Sequence, residues 1–440
     1  MSALAKWMLH EGIHVTGSDV HAGEITKDLS NRGIKVFSGH AGSNIAEGVD
    51  IVVHTPAVPE DNIELKEAAS RGIRTVSNFE LLGEISSSYS TIVVTGTNGK
   101  STTTAMLGLI LEAAGYDPTV LVGSLVPGFK DGNLRVGKGR FFVIEGCEYK
   151  ANMMHLQPEM IVLTNIEEDH LDFYRDLKHI QETFQNFIDK LKGQGMVVHN
   201  VRDDGTRPLK FPQGIGYGTD VVTDYFSRDR KTEPGSQSAM VFRKEDKEVH
   251  LGDIQLSLPG EFNIENALAA TAAAMELGVP FATCRRALAE FSGIWRRFER
   301  VGVWPGADIL SDYGHHPSGV SGTIDATREF FPGRRIVLCY QPHQHDRTIK
   351  LFDDFVETLS LADHIVLVEI YDVAGRNEDH EVSSEQLVKA IHKRDPAKDV
   401  RYASDLHHAE NELRDLVKPG DVVLIMGAGD IDELARKIVV

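Results

Sequence analysis

The sequence predicts an α/β protein of three domains, on three observations. The chain has 440 residues, and at roughly 150 residues per domain that length points to about three domains, because a single hydrophobic core does not grow so large. Short β-rich apolar runs alternate with helical patterns along most of the chain. Several of those runs are apolar throughout, the pattern of strands buried on both faces of a parallel sheet, with helices as right-handed crossovers.

Taken in order, MSALAKWMLHEGIHV reads as an amphipathic helix followed by a strand at 13–16 (IHVT), not as a signal peptide. Further strands are expected at 51–54 (IVVH), 91–95 (TIVVT), 141–145 (FFVIE) and 161–164 (IVLT), then at 336–340 (IVLCY), 365–369 (IVLVE) and 422–426 (VVLIM). Between about 200 and 255, Gly, Pro and Asp punctuate short alternating runs, which suggests an antiparallel meander. An Ala-rich helix is expected at 266–277 with Gly278 as its cap, and another at about 281–291. Small polar residues at 83–90 and the break at 292–297 (SGIWRR) divide the chain into blocks 1–87, 88–294 and 295–440.

Composition narrows the function. Hydrophobic residues make up 41% and charged residues 25%, ordinary for a globular chain. Asp and Glu number 65 against 46 Lys and Arg, a net charge of −19, which disfavours nucleic acid as a bulk partner. The 3 cysteines sit far apart in no CxxC pair, so a disulfide framework or cysteine zinc site is unsupported and a reducing cytoplasm fits best. No apolar run approaches the ~18–20 residues of a membrane span. A monomer and a homodimer both stay open.

Chemistry-bearing residues cluster after strands, where open parallel sheets bind ligands. The strongest segment is Gly96-Thr97-Asn98-Gly99-Lys100-Ser101-Thr102, between a strand and a helical run. Glycines let backbone N–H groups wrap a phosphate, the helix N-terminus adds positive potential, Lys100 reaches the β/γ-phosphates and Ser101 ligates Mg²⁺. The strict phosphate-loop pattern has Gly where this chain has Val94, so the loop is a variant. Glu145 closes one strand with Glu148 three residues on, and Asn165–His170 (NIEEDH) closes the next. Mg²⁺ prefers oxygen ligands, so His170 is the least comfortable ligand of a set with Ser101 and Glu145. His315, His316, His343 and His345 follow strands of the last block, while His407, His408 and the acidic run Glu378–Glu381 read as solvated surface.

Together TGTNGKST, IEGCEYKANMMHLQPEMIVLTNIEEDHLD, LPGEFNIENALAA, RRFE, DYGHHP, QPHQHDRT and GAGDI resemble, in order, the motifs of the Mur ligases, ATP-dependent amide-forming enzymes of peptidoglycan precursor synthesis. The resemblance is strongest to their L-alanine-adding branch and covers nearly the whole chain. It implies a Rossmann-like first domain lacking its first strand, a central P-loop ATPase-type domain with a mixed sheet, and a Rossmann-like third domain. It implies ATP and Mg²⁺ as cofactors, and UDP-N-acetylmuramate and L-alanine as substrates, joined through an acyl phosphate. By the same resemblance Lys100 binds phosphates, Ser101, Glu145 and His170 serve the metal, and Asn263 and Asn266 contact adenine. Asp312 contacts ATP from the third domain, Arg297 lies near the phosphates, His343 and Arg347 hold the amino acid's carboxylate, and Asp19 contacts uridine. His316 is the expected amine-deprotonating base.

The chain also departs from the family pattern. That pattern opens with a strand and a GIGG-x-GMSALA loop for the donor diphosphate, whereas this chain opens at MSALA. The expectation is a truncated or misassigned start, or impaired donor binding. Gln344 replaces an Arg that would help clamp a carboxylate. Phe262 stands where a His is common, and Gln185 where other branches carry a carbamylated Lys. Two alternatives therefore stay open: a recycling ligase that adds a preformed peptide to the same nucleotide sugar, and a catalytically impaired nucleotide-binding paralogue.

Overall fold

The computed structural model describes residues 1–20, 23–56, 58–171, 173–191, 193–372 and 381–439. Of the acidic run, Glu378, Asp379 and His380 lie outside the described residues. The architecture is α/β. No helix among the described residues is long and apolar enough to cross a membrane.

The first helix, Ser2–His10, buries Ala3, Leu4 and Trp7. Trp7 meets the edges of Phe142 and Tyr89, at ring centroids of 5.0 and 6.1 Å, and so anchors the first block on the central one. Strand Thr16–Asp19 pairs in parallel with Lys35–Ser38, and Ile51–His54 with Arg74–Ser77. The strand expected at 13–16 thus begins at Thr16. Ile13 is 50% exposed, so its apolar run faces no core, and the register is set by the partner at Lys35–Ser38.

The central sheet has 10 strands in the spatial order Glu248–Leu256, Ser236–Lys244, Tyr225–Glu233, Gly214–Thr219, Met196–Asn200, Met160–Leu163, Ser90–Thr95, Phe141–Gly146, Thr119–Leu121 and Leu134–Arg135. Its middle strands are parallel, and the meander expected before residue 255 forms the antiparallel edge. Helices Lys100–Ala113 and Glu261–Glu276 pack together over one face. The run Ala267–Ala274 is fully buried, and its small side chains let the two helices approach closely. This second helix starts at Glu261, five residues before the expected 266. Its first turn mixes Glu261, Phe262 and Asn263 facing a cleft with a buried Ile264, so no regular apolar periodicity marked it. Gly278, at φ 89, ends it as expected.

The third sheet has 6 strands in the order Glu299–Val303, Asp308–Asp312, Val422–Met426, Ile336–Tyr340, His364–Val368 and Asp399–Ala403. Only its first pair is antiparallel. The carboxyl end of its strand Asp308–Asp312 and those of the central sheet's parallel strands face one cleft of about 750 Å³.

Candidate active site

Strand Ser90–Thr95 is buried between Phe141–Gly146 and Met160–Leu163, and the chain must turn from its end into helix Lys100–Ala113. Gly96 and Gly99 make that turn at φ 134 and 84. A Cβ on Gly96 would strike Thr164 Oγ1 and lie 2.8 Å from Asn165 O, and one on Gly99 would strike Asn266 Oδ1. Asn165 clamps the loop: its carbonyl accepts from Thr97 N and its side chain from Asn98 N, each at 2.9 Å. The result is a concave backbone cradle at a helix N-terminus, which favours phosphate. Lys100 Nζ donates to Gly96 O (2.6 Å), Thr97 O (3.0 Å) and Glu148 Oε1 (3.0 Å). Burial works against the Lys100 ammonium, yet neighbouring negative charge, Glu148 first, holds its pKa above the ordinary lysine value.

Ser101 Oγ donates to Glu145 Oε2 at 2.9 Å, and Gly123 N donates to Glu145 Oε1. Burial raises the Glu145 pKa, against the pull of Gly123 N and Lys100. A hydroxyl and a carboxylate side by side, below a phosphate cradle, fit Mg²⁺, which takes few protein oxygens and keeps phosphate oxygens and waters. His170 does not join them. Its Nε2 lies 3.6 Å from Glu148 Oε1, its ring lies 4.7 Å from that of Tyr149, and its backbone has φ 53. Glu148, which pairs with Lys100, is buried, and Lys100 outweighs that burial to depress its pKa.

The third block supplies the opposite wall. Asp312 ends strand Asp308–Asp312, accepts from Phe298 N and Gly314 N (both 2.7 Å), and has its pKa raised by burial. The Arg297 guanidinium lies 4.6 Å from the centre of the Tyr313 ring. His315 is driven well below the usual histidine range by burial and then by Arg347. His316 Nδ1 lies 3.0 Å from Ser318 Oγ. Behind this wall, Arg347 Nη2 donates to Asp169 Oδ1 at 2.7 Å, with side-chain exposures of 6% and 9%. Burial opposes the Asp169 charge, but Arg347 wins and holds the carboxyl well below the usual carboxylate range.

One cleft therefore gathers Thr97, Asn98, Gly99, Lys100, Ser101, Thr102, Glu145, His170, Asn263, Asn266, Arg297, Asp312 and His316. Gly96 shapes the turn beneath it. Asn263 donates to Pro259 O at 2.6 Å, and Asn266 accepts from Thr103 at 3.1 Å. His343 and Arg347 do not line this cleft. His343 stacks on Tyr371, its ring centroid 6.2 Å from that of His315. Asp19 lies apart on strand Thr16–Asp19 of the first block. Sequence reasoning noted Glu148, and Glu167 and Asp169 within NIEEDH, without a role, and missed Ser318. The E-x-x-E spacing marked Glu148, but the others depend on pairings across 151 and 178 residues. A larger cleft, about 1130 Å³, opens at the other end of the central strands. It holds none of the loop or these carboxylates, so volume does not locate the chemistry.

Family models match nearly the whole chain: the Mur ligase family catalytic domain at residues 1–90, the Mur ligase middle domain at 94–274 and the Mur ligase glutamate ligase domain at 296–429. The chain belongs to the Mur ligase family. Among Mur ligases, a UDP-N-acetylmuramate–L-alanine ligase of Persephonella marina is 36% identical, over 100% of this chain and 94% of the relative. Another, from a Geobacter species (strain M21), is 38% identical over 98% of this chain and 93% of its own length. The solved UDP-N-acetylmuramate–alanine ligase of Thermotoga maritima superposes with TM-score 0.85 at 28% identity, covering 100% of this chain and 95% of that one. A murein peptide ligase from Psychrobacter arcticus, 24% identical with TM-score 0.74 over 100% and 95%, shares the Mur ligase fold.

Proposed function

We propose that this protein is an ATP-dependent ligase that joins L-alanine to the carboxylate of UDP-N-acetylmuramate in peptidoglycan precursor synthesis. One observation carries the reading: curated relatives 34–38% identical over 98–100% of this chain bear that name. The site has the parts such a reaction needs. We assign block 1–87 to the nucleotide sugar, with Asp19 at the uridine, 88–294 to ATP, and 295–440 to the amino acid and to closure.

The donor carboxylate attacks the γ-phosphate, ADP leaves, and an acyl phosphate forms. Lys100 and the backbone of Gly96–Thr102 hold the transferring phosphate, Arg297 adds charge from the closing block, and Asn263 and Asn266 face the base. Ser101 and Glu145 would hold Mg²⁺, with His170 bordering the site; the ion would supply neutralisation of the phosphate charge. Arg347, seated by Asp169 and flanked by His343, would take the L-alanine carboxylate. His316 would accept the proton shed by the attacking amine, and Asp312 keeps that wall in place through its two backbone contacts. Positioning and charge do most of the work. ATP and a nucleotide sugar place the reaction in the cytoplasm.

Phosphate release with ATP and Mg²⁺ is the test. It should require both UDP-N-acetylmuramate and L-alanine, and L-Ala-γ-D-Glu-diaminopimelate should not substitute. Release supported only by the peptide would replace this reading with the recycling one.

A further inference from the structure

His316 sits at the N-terminus of helix Pro317–Phe330, on the wall that the third block turns to the phosphate loop. Its Nδ1 lies 3.0 Å from Ser318 Oγ, and Ser318 Oγ donates to Glu167 Oε2 at 2.7 Å. Glu167 belongs to the central block. Its backbone N–H donates to Thr97 Oγ1 at 2.9 Å, and its Oε2 also accepts from Asn98 Nδ2 at 3.3 Å. A carboxylate only accepts, and a serine hydroxyl has one proton to give. With that proton committed to Glu167, Ser318 Oγ can only accept from His316. The imidazole must then carry its hydrogen on Nδ1, which leaves the Nε2 lone pair free. That Nε2 is buried and has no hydrogen-bond partner among the described residues. Glu167 Oε2 also lies 3.8 Å from His316 Nδ1, close enough to stabilise an imidazolium.

We propose that Glu167 and Ser318 are positioning residues that set the tautomer of His316. The hydrogen bond between them joins the segment bonded to the phosphate loop with the closing block, so the base is armed only when the two are together. The proposal rests on reading His316 as the base for amide formation. In that step the neutral amine of L-alanine forms a bond to the acyl carbon. The bond from that carbon to the phosphate oxygen breaks, phosphate leaves with the electron pair, and the proton shed by nitrogen goes to His316 Nε2. A carboxylate that orients a histidine and stabilises its cation through the far nitrogen performs the corresponding task in hydrolytic triads. Here the serine stands between the two.

The test separates the two half-reactions in the full chain. Hydroxylamine traps the acyl phosphate as a hydroxamate with no call on the base, whereas L-alanine needs it. General-base catalysis is worth about 10²–10⁴ in rate, and losing the fixed tautomer should forfeit about tenfold of that. Ser318→Ala should therefore lower the ratio of L-alanine ligation to hydroxamate formation about tenfold, through kcat rather than the KM for L-alanine. Ser318→Thr, which keeps the hydroxyl, should restore the ratio, and Glu167→Gln should lower it in part. Parallel loss of both half-reactions would make the contact a simple latch and overturn the proposal, as would an unchanged ratio in Ser318→Ala. Wild-type protein without L-alanine ligation would instead overturn the functional reading, and the relay with it.

Discussion

The Arg347–Asp169 pair is the deepest charged contact between the central and third blocks, and removing one partner gives a quantitative test. The charged atoms lie 2.7 Å apart with side chains 6% and 9% exposed. At an effective dielectric of about 20, their attraction is about 6 kcal/mol, against which stands the desolvation of both ions. Asp169→Asn keeps the shape and an acceptor oxygen but strands a buried guanidinium, which should cost about 3 kcal/mol. Arg347→Met should cost a similar amount by stranding the carboxylate, while the double variant, which buries no charge, should lie within about 1 kcal/mol of wild type. The assay is a double-mutant cycle on urea unfolding, followed through tryptophan fluorescence, which reports on Trp295 and Trp304 of the third block and on Trp7 of the first helix. Strong coupling is expected. Single variants that each cost under about 0.5 kcal/mol, the range of surface positions, would refute the reasoning and place the pair in solvent.

Other outcomes follow from the same geometry. Lys100→Met should lower the ATP-dependent rate by at least about 100-fold, the scale of losing one preorganised electrostatic partner, with fold retained by circular dichroism. Ser101→Ala should shift half-saturation to higher Mg²⁺ while leaving the KM for L-alanine in place. Gly96→Ala should abolish nucleotide binding in a titration with ADP, because the added methyl strikes Thr164 Oγ1 at a backbone φ of 134. Burial raises the Asp203 pKa to about 6, although Ile166 N and Thr206 N donate to it. A carboxyl raised on folding contributes stability that is complete below its unfolded pKa and is lost as pH rises from there through the folded pKa. Thermal scans should therefore show Asp203→Asn more stable than wild type at pH 8 and the advantage gone at pH 4.

What the sequence made legible depended on how each feature is encoded. Runs such as IVLCY and VVLIM lie where expected because fully buried parallel strands are apolar on both faces. Lys35–Ser38, Arg74–Ser77 and Asp399–Ala403 went unnoticed because polar residues interrupt them and tertiary pairing makes them strands. The phosphate loop was readable because one local segment holds the strand end, the glycines and the helix start. The pairings of Lys100 with Glu148, Arg347 with Asp169 and Ser318 with Glu167 were not, since no local pattern relates residues 48, 178 and 151 positions apart. Motif order pointed to the family, but the partners that seat its side chains needed the fold.

The central claim, amide formation through an acyl phosphate, is tested most directly by oxygen tracing. UDP-N-acetylmuramate labelled with ¹⁸O in its carboxylate, incubated with ATP, Mg²⁺, L-alanine and the protein, should yield inorganic phosphate carrying a single ¹⁸O atom. Phosphate released without label while L-alanyl product accumulates would contradict the account.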